Sequence, residues 1–167
     1  MTKNLLIVSA TSRNNLVLAR NLEEICGDCK VNSSLINLED YSIPLYTPVE
    51  QKKGRPEEII LISEKFKNAS GFIFCAPEYN GSIPPILTNL FSWISVLEKD
   101  WRLVFNSKKA IIATHSGGGG FNFLLSLRIQ LTHLGTVVIP RTITVNNYTK
   151  FDYNSSKEKV KQLISLL

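Results

Sequence analysis

Three apolar runs constrain this chain more than any other feature. Leu5-Leu6-Ile7-Val8 is continuous and apolar, the pattern of a strand covered on both faces. Gly71-Phe72-Ile73-Phe74-Cys75 and Lys109-Ala110-Ile111-Ile112-Ala113-Thr114 read as two more strands. Amphipathic helix patterns fill the intervals. Residues 14–26 carry Leu18, Leu22, Ile25 and Cys26 on one face. Glu57 to Lys67 carries Ile59, Ile62 and Phe66. A helix opening at Pro84 or Pro85 carries Leu87, Leu90, Phe91, Ile94 and Leu97, with proline suited to the first turn. Leu124, Leu127, Leu131 and Leu134 mark another helix that Gly135 ends, and residues 156–167 form the last.

The remaining segments complete an alternation. Val31 to Leu38 reads as the second strand, and residues 40–56, with Pro44, Pro48, Gly54 and Pro56, as a long loop. Thr136-Val137-Val138-Ile139 and Thr142-Ile143-Thr144-Val145 flank Pro140 and read as one kinked fifth strand. Strands alternating with helices imply a parallel sheet with right-handed crossovers. The expected fold is α/β: a flavodoxin-like three-layer sandwich whose five-stranded parallel sheet runs 2-1-3-4-5, with helices on both faces. The 167 residues suit one domain, and no repeat or linker divides them.

Composition excludes some functions. Hydrophobic residues make up 44% and charged residues 20%, as in a globular chain. The net charge is +5, which suits an anionic ligand, but no basic run exceeds Lys52-Lys53 or Lys108-Lys109. That argues against nucleic acid. No apolar stretch reaches the ~20 residues of a membrane span, and the N-terminal run is too short for a secretory signal. The expectation is a cytoplasmic protein. Cys26 and Cys29 form a C-x-x-C, but at the end of a helix pattern, with Gly27 expected as its C-cap. A redox pair sits at a helix N-terminus instead, where the dipole stabilises thiolate. A zinc site needs two further ligands that no second motif supplies. The pair is therefore read as structural.

In such a sheet, ligands bind beyond the carboxyl ends of the strands, at the switch between strands one and three. That rule selects three loops. The first is Ser9-Ala10-Thr11-Ser12-Arg13-Asn14-Asn15, which precedes a helix N-terminus. Free amides, the positive helix end and the Arg13 guanidinium suit a monophosphate. Simple N-capping by Ser12 or Asn14 is the plainer reading, and it leaves most of these polar side chains unused. The loop is neither a Walker A nor a G-x-G-x-x-G.

The second loop, Pro77-Glu78-Tyr79-Asn80-Gly81-Ser82, suits a flat heteroaromatic ligand. Backbone amides around residues 80–82 reach toward ring atoms, Gly81 admits close approach, and Tyr79 offers a face or an edge. The third, Ser116-Gly117-Gly118-Gly119-Gly120, lets backbone approach a ligand or moves as a lid. His115 reads as a structural histidine, with a general acid near the ring as the other reading.

These stretches resemble a known family. "APEYNGSIPPILTNLFSWIS" is similar to the signature of the NADPH-dependent FMN reductases, the flavodoxin-fold group that includes quinone, chromate and azo-dye reductases. "LLIVSATSRNN" and the Gly-rich loop with "LRIQLTHLGTVVIP" extend the resemblance over most of the chain. It implies a single FMN-binding domain over residues 1–167 and a non-covalent FMN. It further implies NADPH or NADH as donor and a homodimer or homotetramer with flavin near the subunit interface. The Phe91–Trp93 region is the expected interface.

Ser9, Ser12, Arg13 and Asn15 match phosphate-loop positions. Residues 77–82 match the isoalloxazine loop, and Ser116, Gly117 and Gly118 the third flavin contact. The first loop departs from the family pattern Gly-Ser-x-Arg-x-x-Ser-x-Asn: the opening Gly and second Ser are missing. The departure implies either a looser grip on phosphate or a phosphate held by Thr11 and Asn14 instead.

The expected activity is an FMN-dependent NAD(P)H oxidoreductase that reduces a small acceptor: flavin, quinone, azo compound or metal oxyanion. No catalytic side chain is required, because flavin N5 carries the hydride and backbone donors stabilise the reduced ring. An electron-carrier flavodoxin is one alternative, but its T-x-T-G-x-T loop and acidity are lacking. A binding protein that has lost flavin is another. A phospho-receiver would need acidic residues after strand one and strand three, where Ser9 and Ala76-Pro77 stand.

Overall fold

The strands form in register because their side chains alternate between two cores. In this computed structural model, which describes residues 3–167, β1 (Asn4–Ser9), β3 (Gly71–Cys75) and β4 (Lys109–His115) form the centre of the sheet. Leu6, Val8, Phe72, Phe74, Ala110 and Ile112 face one core; Leu5, Ile7, Ile73, Cys75, Ile111 and Ala113 face the other. The first core is closed by α3 (Glu57–Asn68), α4 (Pro85–Ser95) and α5 (Phe121–His133). The second is closed by α1 (Asn14–Asp28) and α6 (Tyr153–Leu166). With β2 (Asn32–Asn37) outside β1 and β5 (Val137–Val138) outside β4, the parallel order is 2-1-3-4-5, as expected. Five phenylalanines, Phe66, Phe72, Phe74, Phe91 and Phe105, pack ring on ring in the first core. Removing one such ring costs about 3–5 kcal/mol.

The fifth strand is two strands rather than one kinked strand. β5 pairs with the start of β4, and β6 (Ile143–Val145) with its end, at Ala113–His115. Pro140 has no N–H to continue the ladder. Arg128 of α5 repairs the break. Its guanidinium donates to the carbonyls of Val138, Ile139 and Pro140 at 3.2, 3.0 and 3.2 Å.

Three further expectations need correction. Gly27 lies inside α1, and Lys30 takes the left-handed backbone (φ 56) after the helix. The Cys29 and Val31 amides close that end on the Ile25 and Cys26 carbonyls. The 40–56 loop contains a short helix, α2 (Pro48–Lys52), which the Thr47 hydroxyl caps through the Glu50 amide at 3.0 Å. A 3-10 turn, Leu38–Asp40, precedes it directly after β2. Phe91 and Trp93 are buried, not an exposed interface. Trp93 Nε1–H donates to the Pro44 carbonyl at 2.7 Å, and Tyr46 meets its ring edge-on, so the 41–46 segment covers that side of α4.

Candidate functional site

The sheet order reverses between β1 and β3, and the loops after β1, β3 and β4 leave the same edge side by side. Their first amides continue the ladder. Ala10 N–H donates to Cys75 O at 2.9 Å, and Ala76 N–H to Ala113 O at 3.2 Å. The geometry places all three candidate loops at the switch point.

In the first loop, the buried Ser9 hydroxyl donates to the Thr11 carbonyl at 2.9 Å, so it shapes the turn. Thr11 is buried as well. The α1 N-cap is Arg13, with no side-chain cap bond; neither Ser12 nor Asn14 caps the helix. Arg13 lacks a side-chain acceptor, which leaves the Asn14 and Asn15 amides for a ligand, while the Leu16 amide turns back to the Arg13 carbonyl at 2.9 Å. Arg13 and Asn14 are exposed. Asn15 points the other way. Its Oδ1 accepts from His115 N–H at 2.8 Å and its Nδ2 donates to His115 O at 2.9 Å. This buried side chain therefore clamps the first loop to the third. Ser12 Oγ accepts from Asn37 Nδ2 at 2.9 Å, which leaves its own hydrogen to donate elsewhere.

The second loop is tied to the third just as firmly. Glu78 N–H donates to Ser116 Oγ at 2.8 Å, and Thr114 Oγ1 lies 2.8 Å from the same oxygen. Glu78 Oε2 accepts from the Phe123 amide at 3.0 Å, in the first turn of α5. The N-cap of α5 is Gly120 (φ 66), which has no side chain to cap with. A carboxylate from the neighbouring loop does this work, and its charge suits the helix N-terminus.

Asn80 (φ 50) and Gly81 (φ 69) are the two centres of a tight hairpin turn of the I′ kind. Tyr79 N–H donates to Ser82 O and Ser82 N–H to Tyr79 O, at 3.1 and 2.9 Å. Those two amides are therefore engaged, so the Ser82 amide is not free for the ring as expected of residues 80–82. Asn80, Gly81 and the Tyr79 ring stay exposed, whereas Pro77 is buried.

The third-loop glycines divide into two pairs. A Cβ on Gly119 would strike the Phe121 ring at 2.6 Å, and one on Gly120 would lie 2.9 Å from Thr114 Cγ2. A Cβ on Gly117 or Gly118 would meet nothing within 4 Å. The first pair is needed for packing; the second borders open space. The remainder of His115 lines a cleft of about 270 Å³ with Val17, Leu18, Asn146 and Lys150.

The sequence reading missed Asn37 and Glu39. Asn37 is buried at the end of β2 and joins Ser12 to Asp40, while Ser12 N–H donates to Glu39 Oε2 at 2.7 Å. A polar Asn37 closing an otherwise apolar Leu35-Ile36 stretch, on the edge where β1 also ends, was the available signal.

Known proteins share both the sequence pattern and the fold. Residues 2–150 match the model of the NADPH-dependent FMN reductases. A quinone reductase of Escherichia coli (strain K12) is 34% identical over 128 residues, which are 75% of this chain and 65% of that protein. The chain thus spans less than two thirds of that relative. An NADH-dependent FMN reductase of Pseudomonas fluorescens is 28% identical over 93% of this chain and 80% of its own. Among solved structures, FerB, a flavoenzyme NAD(P)H:(acceptor) oxidoreductase from Paracoccus denitrificans, superposes with a TM-score of 0.77 at 18% identity. That match covers 99% of this chain and 95% of FerB. By its sequence, and in agreement with its fold, the chain belongs to the NADPH-dependent FMN reductase family.

Proposed function

We propose that the protein is an FMN-dependent NAD(P)H oxidoreductase for a small acceptor: free flavin, a quinone, an azo compound or a metal oxyanion. The observation that carries this reading is the coupling of three loops into one unit at the switch point. Asn15 holds His115, and Glu78 holds Ser116 and α5. The residues present fit the group. The α1 N-terminus lacks a side-chain cap, and the Gly117–Gly118 backbone borders open space.

Bound FMN would supply a ring that accepts a hydride from the nicotinamide and returns two electrons to the acceptor. The Ser12 hydroxyl, Arg13, Asn14 and the first amides of α1 would hold its phosphate. The Asn80 and Gly81 amides and the 116–118 backbone would donate to the ring edge, with the Tyr79 ring beside it. Ser9, Asn15, Glu78 and Ser116 position these loops. The carboxylate of Glu78 does so through α5. Residues 1–167 would act as one FMN-binding domain. The proposed location is cytoplasmic; among the described residues, no helix is long and apolar enough to cross a membrane.

The test is the visible spectrum of the purified protein, with and without added FMN, followed by NADPH and NADH oxidation with each acceptor class. We expect bound flavin and turnover with at least one acceptor. A protein that leaves the flavin spectrum unchanged and oxidises neither nucleotide overturns the proposal.

A further inference from the structure

The first loop already holds an anion, and that anion belongs to the chain. Leu38, fully buried, anchors the 3-10 turn that follows β2. The turn sets Glu39 over the first loop, where its Oε2 takes the Ser12 amide hydrogen at 2.7 Å. This length is typical of a charge-assisted bond. Ser12 immediately precedes the α1 N-cap, so this amide belongs to the group that a phosphate on the helix would use.

A second carboxylate stands beside it. Asp40 Oδ1 accepts from Asn37 Nδ2 at 2.7 Å, and the same nitrogen donates to Ser12 Oγ. Both acids are exposed, and among the described residues neither forms an ion pair with a cation, Arg13 included. A phosphate that takes the Ser12 amide as well must therefore displace Glu39, and one held by the rest of the loop has that carboxylate beside it.

We infer that Glu39 is a specificity-determining residue: a built-in competitor that weakens the grip on the phosphate of a flavin mononucleotide and leaves the grip on its ring unchanged. The inference rests on reading the three loops as a flavin site. It also gives the looser grip on phosphate a physical cause. One backbone donor is held by the chain, so fewer donors remain for phosphate. A protein with such a loop discriminates poorly between flavins with and without phosphate, and releases FMN readily.

Glu39→Gln tests this. Glutamine keeps the shape and an acceptor for the Ser12 amide but removes the charge. FMN and riboflavin share the ring and differ at the phosphate, so their dissociation constants, read by flavin fluorescence, separate the two ends of the site. The expected result is FMN binding about five- to tenfold tighter in Glu39→Gln, the difference between a charge-assisted and a neutral bond. Riboflavin should stay within about twofold. Glu39→Ala, which removes the acceptor as well, should tighten FMN at least as much. The position is exposed, and thermal midpoints of all three proteins check that folding is intact.

If the wild type binds FMN and the FMN-to-riboflavin ratio does not change in either variant, the inference is overturned and the flavin reading stands. Equal tightening of both flavins, or weaker FMN binding, overturns it too. If no flavin binds wild type or variant, the flavin reading itself fails and takes the inference with it.

Discussion

Asn15 shows how one side chain joins two loops that are a hundred residues apart. Its amide engages both backbone polar atoms of one residue, His115, at 2.8 and 2.9 Å, from a buried position. Nothing else in its place offers a donor and an acceptor at that spacing. Asn15→Ala leaves the His115 N–H and C=O without partners, and each orphaned group costs about 1–3 kcal/mol. The expected loss, about 2–4 kcal/mol after partial access by water, is read from urea unfolding monitored by tryptophan fluorescence. A loss below about 0.5 kcal/mol would show that the clamp is dispensable. The residue was legible in the sequence as a member of the first candidate loop, but its direction was not. Sequence spacing places a side chain on a turn; only the paired strand end reveals what it faces. The direction of Ser9 was hidden for the same reason: its hydroxyl closes the turn on Thr11.

Elements were read more securely than their ends. Strands β1, β3 and β4 and the five longer helices follow apolar patterns that few alternatives share. The fifth strand was read as continuous because the two runs around Pro140 look alike; Pro140 breaks the ladder, and Arg128, on the helix directly before β5, takes up the carbonyls there. The end of α1 was misplaced because Gly27 resembles a C-cap, whereas Lys30 takes the left-handed position. That end is also joined to α6. Asp28 accepts from Tyr153 Oη at 2.6 Å and from Lys157 Nζ at 2.8 Å. The Lys157 bond, then the Tyr153 bond, hold the Asp28 carboxyl below its usual 3.8. The bond to Asp28 raises the Tyr153 phenol to about 12 from 10.0. A carboxyl lowered on folding stabilises the fold above 3.8 and loses this effect as pH falls through its folded value. A phenol raised on folding stabilises it below 10.0 and loses this as pH rises through about 12. The difference in denaturation midpoint between wild type and Asp28→Asn should therefore be level across the neutral range. It should shrink at both the acid and the alkaline end. A difference that persists unchanged into acid would show that the charge on Asp28 plays no part. Because Asp28 is exposed and its two partners are only half-buried, the effect is small and falls with added salt.

At the scale of the whole molecule, the sequence pointed to the candidate site and concealed what surrounds it. The switch-point rule needs only strand order, and the order follows from alternation. The outer face of α5 follows from no such rule. Phe121, Leu125 and Ile129 recur every four residues on that helix and are 80%, 59% and 62% exposed. Their apolar stripe begins at the candidate site, for the Phe121 ring lies against Gly119 and the neighbouring Asn122 lies beside Gly81. A stripe of this kind on a helix rimmed by polar residues is the mark of an interface. We expect the protein to be a homodimer or homotetramer in which α5 meets a second copy and the copy walls in the flavin. Light scattering at micromolar concentration should give at least twice the 18.8 kDa chain mass. Leu125→Glu, on an exposed helical position where glutamate is well tolerated, should shift the mass toward the monomer. If the partner covers the site, FMN should bind more weakly in the same variant. A wild type that scatters as a monomer rules the assembly out. An oligomer that Leu125→Glu leaves intact places the interface on another face.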